Sequence, residues 1–147
     1  MRTSDAGLQF IANFEGFSAV PYLCPASLKT IGYGHVIRAN EHFTSITEDE
    51  ARKLLHSDVA SSENAVTRLI QVTMNQNQFD ALVSFTFNIG AGALQQSTLR
   101  RKLNRGEYVN AANELLRWVY TYKPIKTKLP GLVLRRIAER RLFLCDI

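Results

Sequence analysis

Glu15 lies at the end of a segment whose apolar residues Leu8, Ile11 and Ala12 share one face of a helix. Ser4 is a natural N-cap for that helix and Gly16 a natural stop. The next position on the apolar face is Glu15 itself. A carboxyl so placed is partly desolvated and sits at the negative end of the helix dipole. Both effects disfavour the anion and hold a proton near neutral pH, as a general acid requires. The other reading is a helix-terminal Glu that turns to solvent, because displaced carboxyls mark functional sites only statistically.

The surrounding elements follow from periodicity and punctuation. After the helix at 4–15, Pro21, Pro25, Gly32 and Gly34 break the chain into short segments at 20–24 and 28–33. These read as a small hairpin-type sheet. Thr47-Glu48-Asp49-Glu50 has the form of a capping box and opens a long helix. Its apolar period runs through Leu55, Val59 and Val66 to about residue 70, interrupted at Asp58 and Ser62. Further helices are expected from Asn77 to Gly90, with Phe79, Leu82, Val83 and Phe87 inward, and from Ser97 to Gly106. Another is expected from Glu107 to Tyr120. After a loop from Pro124 to Pro130, a last one covers Gly131 to Leu144. The expected architecture is α+β: one chain with a mixed lobe at about 16–50 and a helical lobe at about 51–147.

Composition narrows the function. The 147 residues suit one domain with a real core, and 46% hydrophobic with 21% charged residues is globular usage. No apolar run is long enough to span a bilayer, and Met1-Arg2-Thr3-Ser4-Asp5 turns polar where a signal peptide needs its apolar stretch. The expectation is synthesis in the cytoplasm with no signal peptide or signal anchor. Cys24 and Cys145 are too few for a disulfide framework, and their spacing is not that of a zinc site. Charge is lopsided: six basic and eight acidic groups in residues 1–75, twelve and five in 76–147. Such asymmetry points to an anionic partner. Arg135, Arg136, Arg140 and Arg141 read as a basic stripe on the last helix, opposite Leu132, Ile137 and Leu144. That stripe is either a solvated face or an attachment to anionic envelope or membrane surface. Nucleic acid is excluded as a partner by the lack of any helix-turn-helix, zinc or ribonucleoprotein signature.

One spacing ties these pieces together. Glu15 is followed after eight residues by Cys24 and after five more by Thr30, inside Lys29-Thr-Ile-Gly-Tyr-Gly-His35. With Ile11-Ala-Asn-Phe-Glu-Gly-Phe17 and Tyr22, this resembles the phage-type lysozymes, glycoside hydrolase family 24, whose catalytic spacing is Glu-x8-Asp/Cys-x5-Thr. The resemblance continues through Gln78-Phe-Asp-Ala-Leu-Val-Ser-Phe-Thr-Phe-Asn-Ile-Gly90 and Leu115-Leu-Arg-Trp-Val-Tyr120. It closes on Leu129-Pro-Gly-Leu-Val-Leu-Arg-Arg-Ile-Ala-Glu-Arg-Arg141.

The resemblance implies a lysozyme domain in which the helix at 4–15 lines the cleft. The implied reaction is hydrolysis of the β-1,4 bond between N-acetylmuramic acid and N-acetylglucosamine in bacterial peptidoglycan. Glu15 is then the acid that protonates the leaving oxygen. Cys24 occupies the nucleophile or base position, where many relatives carry Asp, and Thr30 positions water or sugar. An ordinary thiol is only a few per cent thiolate at pH 7, so Cys24 works as an anion only where its site lowers its pKa. Its alternative is a small buried hydrophobe. Substrate contacts are expected from Tyr33, Gly34, His35, Phe87 and Asn88. Of these, His35 also suits a structural hydrogen bond and Phe87 a core position, and Trp118 is read as core. No metal or cofactor is implied, and the protein is expected to be a monomer. Without a leader it would depend on a holin for release to the wall. Two competing readings are a lytic transglycosylase, which also uses one Glu acid, and a non-catalytic basic protein that disrupts anionic envelopes.

Overall fold

The computed structural model describes residues 1–122 and 125–146; of the loop expected from Pro124 to Pro130, Pro124 lies outside the described residues. Helix α1, Asp5–Glu15, starts where Ser4 caps it: the Ser4 Oγ accepts the N–H of Gly7 at 3.0 Å. Leu8, Ile11 and Ala12 are buried along its length. Strands β1 (Ser18–Leu23), β2 (Lys29–Gly32) and β3 (His35–Val36) then form an antiparallel sheet in that order. In its register Thr30 is flanked by Tyr22 on β1 and Val36 on β3. The third strand, two residues long, is too short to leave an alternation in the sequence.

The long helical segment opens on the expected capping box, with Thr47 and Glu50 exchanging side-chain and backbone hydrogen bonds. It is two helices, α2 (Glu48–Asp58) and α3 (Ala60–Leu69), separated at Val59. The break falls beside Asp58, one of the two polar residues that interrupt the apolar period. Helices α4 (Gln76–Ile89), α5 (Ala91–Gln96), α6 (Thr98–Asn104) and α7 (Tyr108–Glu114) follow. The chain thus joins a small mixed part with a short antiparallel sheet, through a long helical segment, to a larger helical part. Among the described residues, no helix is long and apolar enough to cross a membrane.

Helix α5 was not expected, and further elements differ from the expectations. Helix α4 starts at Gln76, one residue early, because Asn75 and Gln78 form a second capping box. The helix expected over 107–120 stops at Glu114 and tightens into a 3₁₀ turn, Leu115–Arg117. The β-prone run Trp-Val-Tyr-Thr-Tyr then leaves the helix, and β4 (Tyr120–Thr121) pairs with β5 (Thr127–Lys128). Helix α8, Pro130–Leu144, carries no solvated stripe of four arginines. Arg135 and Arg136 are 4% and 0% exposed. Both are drawn inward by Glu139, 3.3 and 2.8 Å from their Nε atoms, so only Arg140 and Arg141 reach solvent.

The chain divides into two compact units, Leu8–Ala60 and Met1–Gly7 with Ser61–Ile147. In the first, the sheet packs on α2, with Ile31, Ile46, Ala51 and Leu55 buried. Gly32 makes this packing possible. Its φ is +67°, and a Cβ there would meet the Ala51 Cβ and the Ile46 Cδ1, each at 3.1 Å. Gly32→Ala is expected to cost roughly 2–3 kcal/mol in denaturant unfolding, from backbone strain plus overpacking. A loss under about 0.5 kcal/mol would mean that sheet and helix part freely. In the second unit, α4 is the central helix, buried from Gln78 to Thr86, and Trp118 packs edge-on against Phe85 with ring centroids 5.7 Å apart.

Candidate active site

Helix α1 ends at Glu15, and the turn at Gly16 leads straight into β1. Glu15, Gly16, Phe17, Ser18 and Tyr22 together line a shallow hollow of about 300 Å³. Gly34 faces the same carboxyl. At φ +82° it lies in the left-handed region, and a Cβ built on it would stand 3.4 Å from the Glu15 Oε2. A side chain there would strain the backbone and stand in contact with the carboxylate.

Cys24 and Thr30 are brought together by the β1–β2 hairpin. The turn is closed by the Cys24 N–H donating to the Leu28 carbonyl at 3.0 Å and the Ser27 N–H donating to the Cys24 carbonyl at 2.8 Å. Cys24 is half-buried and free of any disulfide. The backbone N–H of Leu28 holds its thiol below the ordinary range; partial burial opposes this, while the Ala26 N–H and the Thr30 hydroxyl add to it. Thr30 is 2% exposed, and its Oγ1 also lies 3.0 Å from the Leu28 carbonyl. Its single proton serves either the carbonyl or the sulfur, and formation of a thiolate shifts it toward sulfur. Tyr22 joins the two halves, since it is the strand partner of Thr30 and lines the hollow of Glu15.

The remaining expected contacts are placed differently. Tyr33 is 7% exposed; its ring packs on Phe17 at 5.5 Å and its hydroxyl donates to Glu48 at 3.3 Å. His35 is clamped between two carboxylates, with Nδ1 2.8 Å from Asp58 and Nε2 3.0 Å from Glu41. Both of its ring nitrogens are therefore engaged within the protein. Phe87, half-buried, and Asn88, exposed, lie at the end of α4 in the other unit. The Asn88 Oδ1 accepts from the Arg136 Nη2 at 2.6 Å. Sequence reasoning missed Phe17 and Tyr22 as lining residues, and both are marked only by being aromatic on either side of the turn into β1. It also missed Glu41 and Asp58, whose distance in sequence from His35 hides the clamp.

The clamp has a pH signature. Burial alone pushes the His35 imidazole down, but hydrogen bonds and charge from Asp58 and Glu41 outweigh it and leave the group above its ordinary value. A value raised on folding favours the folded state at low pH. The stabilisation is complete below about 6.5 and is lost as pH climbs through the raised value. The stability difference between wild type and His35→Asn, read from unfolding curves at several pH values, is expected to shrink with rising pH. A constant difference between pH 5 and 9 would show that the imidazole does not titrate in the fold.

Comparison with known proteins places the chain among the phage lysozymes. The family model described as phage lysozyme matches residues 12–139. The endolysin of Bacillus phage B103 is 43% identical over 146 residues, covering 98% of this chain and 54% of that protein. The endolysin of Acyrthosiphon pisum secondary endosymbiont phage 1 is 40% identical, covering 97% of this chain and 98% of that one. Among solved structures, the endolysin from Escherichia coli O157:H7 phage FAHEc1 superposes with a TM-score of 0.91 at 38% identity, covering 100% of this chain and 96% of that one. The chain spans about half the length of the first of these relatives and nearly all of the other two. The fold is that of the lysozyme class. Within that class, the chain belongs to the phage lysozyme family.

Proposed function

We propose that this protein is a muramidase of the endolysin type, acting on bacterial peptidoglycan and causing lysis of the host cell. It hydrolyses the β-1,4 bond from N-acetylmuramic acid to N-acetylglucosamine. The observation that carries this reading is the pairing of Glu15 with Gly34 and of Cys24 with Thr30 around one small sheet, with Tyr22 next to both. Glu15 donates its proton to the glycosidic oxygen as the bond to the muramic C1 breaks. A water molecule delivers hydroxide to C1, and its remaining proton restores the acid. The oxocarbenium-like character of C1 calls for a nearby anion, and the Cys24 thiolate, held by the Leu28 N–H, supplies it. Thr30 orients the water or the cleaved sugar.

Release of new reducing ends from purified peptidoglycan tests this reading. Ends that accumulate as N-acetylmuramic acid support it, whereas anhydro-sugar ends would make the protein a transglycosylase. A finer expectation concerns Cys24. Activity rises with pH through the lowered thiol value, because the anion is the working form. In Cys24→Asp the rise moves down to the carboxylate range near pH 4, and Cys24→Ala loses about tenfold or more at pH 7. An unmoved profile in Cys24→Asp would reduce Cys24 to a bystander.

The lysozyme domain over residues 1–147 carries this activity. Its route to the wall is a membrane lesion made by a partner holin, and finding active protein in the periplasm of cells with an intact inner membrane would overturn that. Any attraction of the C-terminal helix to anionic envelope falls to Arg140 and Arg141, since Arg135 and Arg136 are buried.

A further inference from the structure

The chain from 115 to 138 holds six lysines and arginines and no acidic residue. Of its arginines, Arg135 and Arg136 are buried and Arg117 pairs with Glu114, so the charge left to solvent falls to the lysines of the β4–β5 hairpin. Lys126 and Lys128 are both exposed. Apolar side chains stand out beside them. Tyr122 and Ile125, one on each arm of the hairpin, are 66% and 70% exposed, and Tyr120, Leu129 and Leu134 are exposed as well. Tyr120 and Lys128 are register partners and so share one face of the hairpin, and the Lys126 ammonium lies 4.7 Å above the Tyr120 ring. Leu129 is held to the same ladder by its N–H, which donates to the Val119 carbonyl at 3.0 Å.

Single exposed apolar residues are ordinary on a protein surface, whereas a hairpin that carries several of them among unopposed cations is not. A hydrophilic phosphate polymer would answer the lysines and leave Tyr122 and Ile125 in water. An acidic lipid leaflet answers both. Its phosphates meet the ammonium groups, tyrosine rings suit the headgroup level, and an isoleucine suits the acyl boundary. We propose that the β4–β5 hairpin docks this protein on the surface of an anionic phospholipid membrane, with Lys126 and Lys128 on the phosphates and Tyr122 and Ile125 between the headgroups. The contact is with one leaflet and spans nothing. It differs from any attraction of Arg140 and Arg141, which is charge alone, and it does not depend on the muramidase reading.

Co-sedimentation of the full chain with lipid vesicles tests this without any hydrolysis step. Binding is expected to phosphatidylcholine vesicles that contain phosphatidylglycerol, and not to phosphatidylcholine alone. Lys126→Gln/Lys128→Gln is expected to weaken it about tenfold or more, the scale of two lysines at an anionic surface. Tyr122→Ser/Ile125→Ser keeps every charge and should weaken it by about tenfold as well, through the apolar area withdrawn from the leaflet. A matched pair, Lys53→Gln/Arg101→Gln, removes two exposed cations outside the hairpin and should leave affinity within about twofold. Melting curves on each variant verify folding. Wild type that ignores the phosphatidylglycerol vesicles overturns the proposal. Undiminished binding in Tyr122→Ser/Ile125→Ser also overturns it, because the contact would then be charge alone and no insertion. An equal loss in the matched pair overturns it too, by spreading the attraction over the whole basic surface.

Discussion

Glu15→Gln is expected to lower peptidoglycan hydrolysis by roughly 10²–10⁴-fold, the usual contribution of a positioned general acid. The substitution keeps the shape of the side chain and removes only the proton that the leaving oxygen must receive. The surrounding hollow, formed by Gly16, Phe17, Ser18 and Tyr22, is open enough to hold an amide as readily as a carboxyl. Stability should therefore move by less than about 1 kcal/mol, so activity and folding separate cleanly in one variant. Rates on purified peptidoglycan and a melting curve check both halves. Killing that survives the substitution and vanishes in raised salt would instead support the non-catalytic basic protein.

The second large effect lies far from the chemistry. Glu139 is fully buried on α8 with Arg135 and Arg136, and Ser84 of α4 donates to it at 2.6 Å. Burial pushes the Arg136 guanidinium down to about 10 and raises the Glu139 carboxyl, while the two arginines oppose that rise. Arg136 also lies over the Phe85 ring, 5.0 Å from its centroid. Arg136→Ala strips these contacts and leaves Glu139 short of a partner. The expected cost is about 3–5 kcal/mol, or roughly 10 °C in melting temperature. Arg141→Ala, at an exposed position on the same helix, should cost less than about 0.5 kcal/mol. Equal small effects at both positions would mean that the buried cluster contributes nothing net.

How much of this was legible in the sequence depends on whether the signal is local. Ser4, Thr47, Glu50 and Ser97 announce helix starts because a cap is an interaction over three residues. Asn75 and Gln78 carry the same signature and could have been read as such. The Glu15, Cys24 and Thr30 spacing was legible as a motif, and the hairpin that joins Cys24 to Thr30 as a run of turn residues. What stayed hidden needs contacts distant in sequence. Arg135 and Arg136 look like surface charge until Ser84, 51 residues from Arg135, packs over them. Asp58 appears only as a break in an apolar period until His35, 23 residues earlier, claims it. The helix expected over 107–120 overran because helical period and strand propensity overlap at Val119 and Tyr120, and pairing with β5 decides between them.

Hydrolysis in heavy-oxygen water, followed by mass spectrometry of the released fragments from wild type and Glu15→Gln, tests the central claim most directly. The account predicts fragments ending in reducing N-acetylmuramic acid, each with one heavy oxygen at C1, and their near-complete loss in the variant. Fragments that end in anhydro-sugar without heavy oxygen, or labelled fragments that persist undiminished in Glu15→Gln, would contradict it.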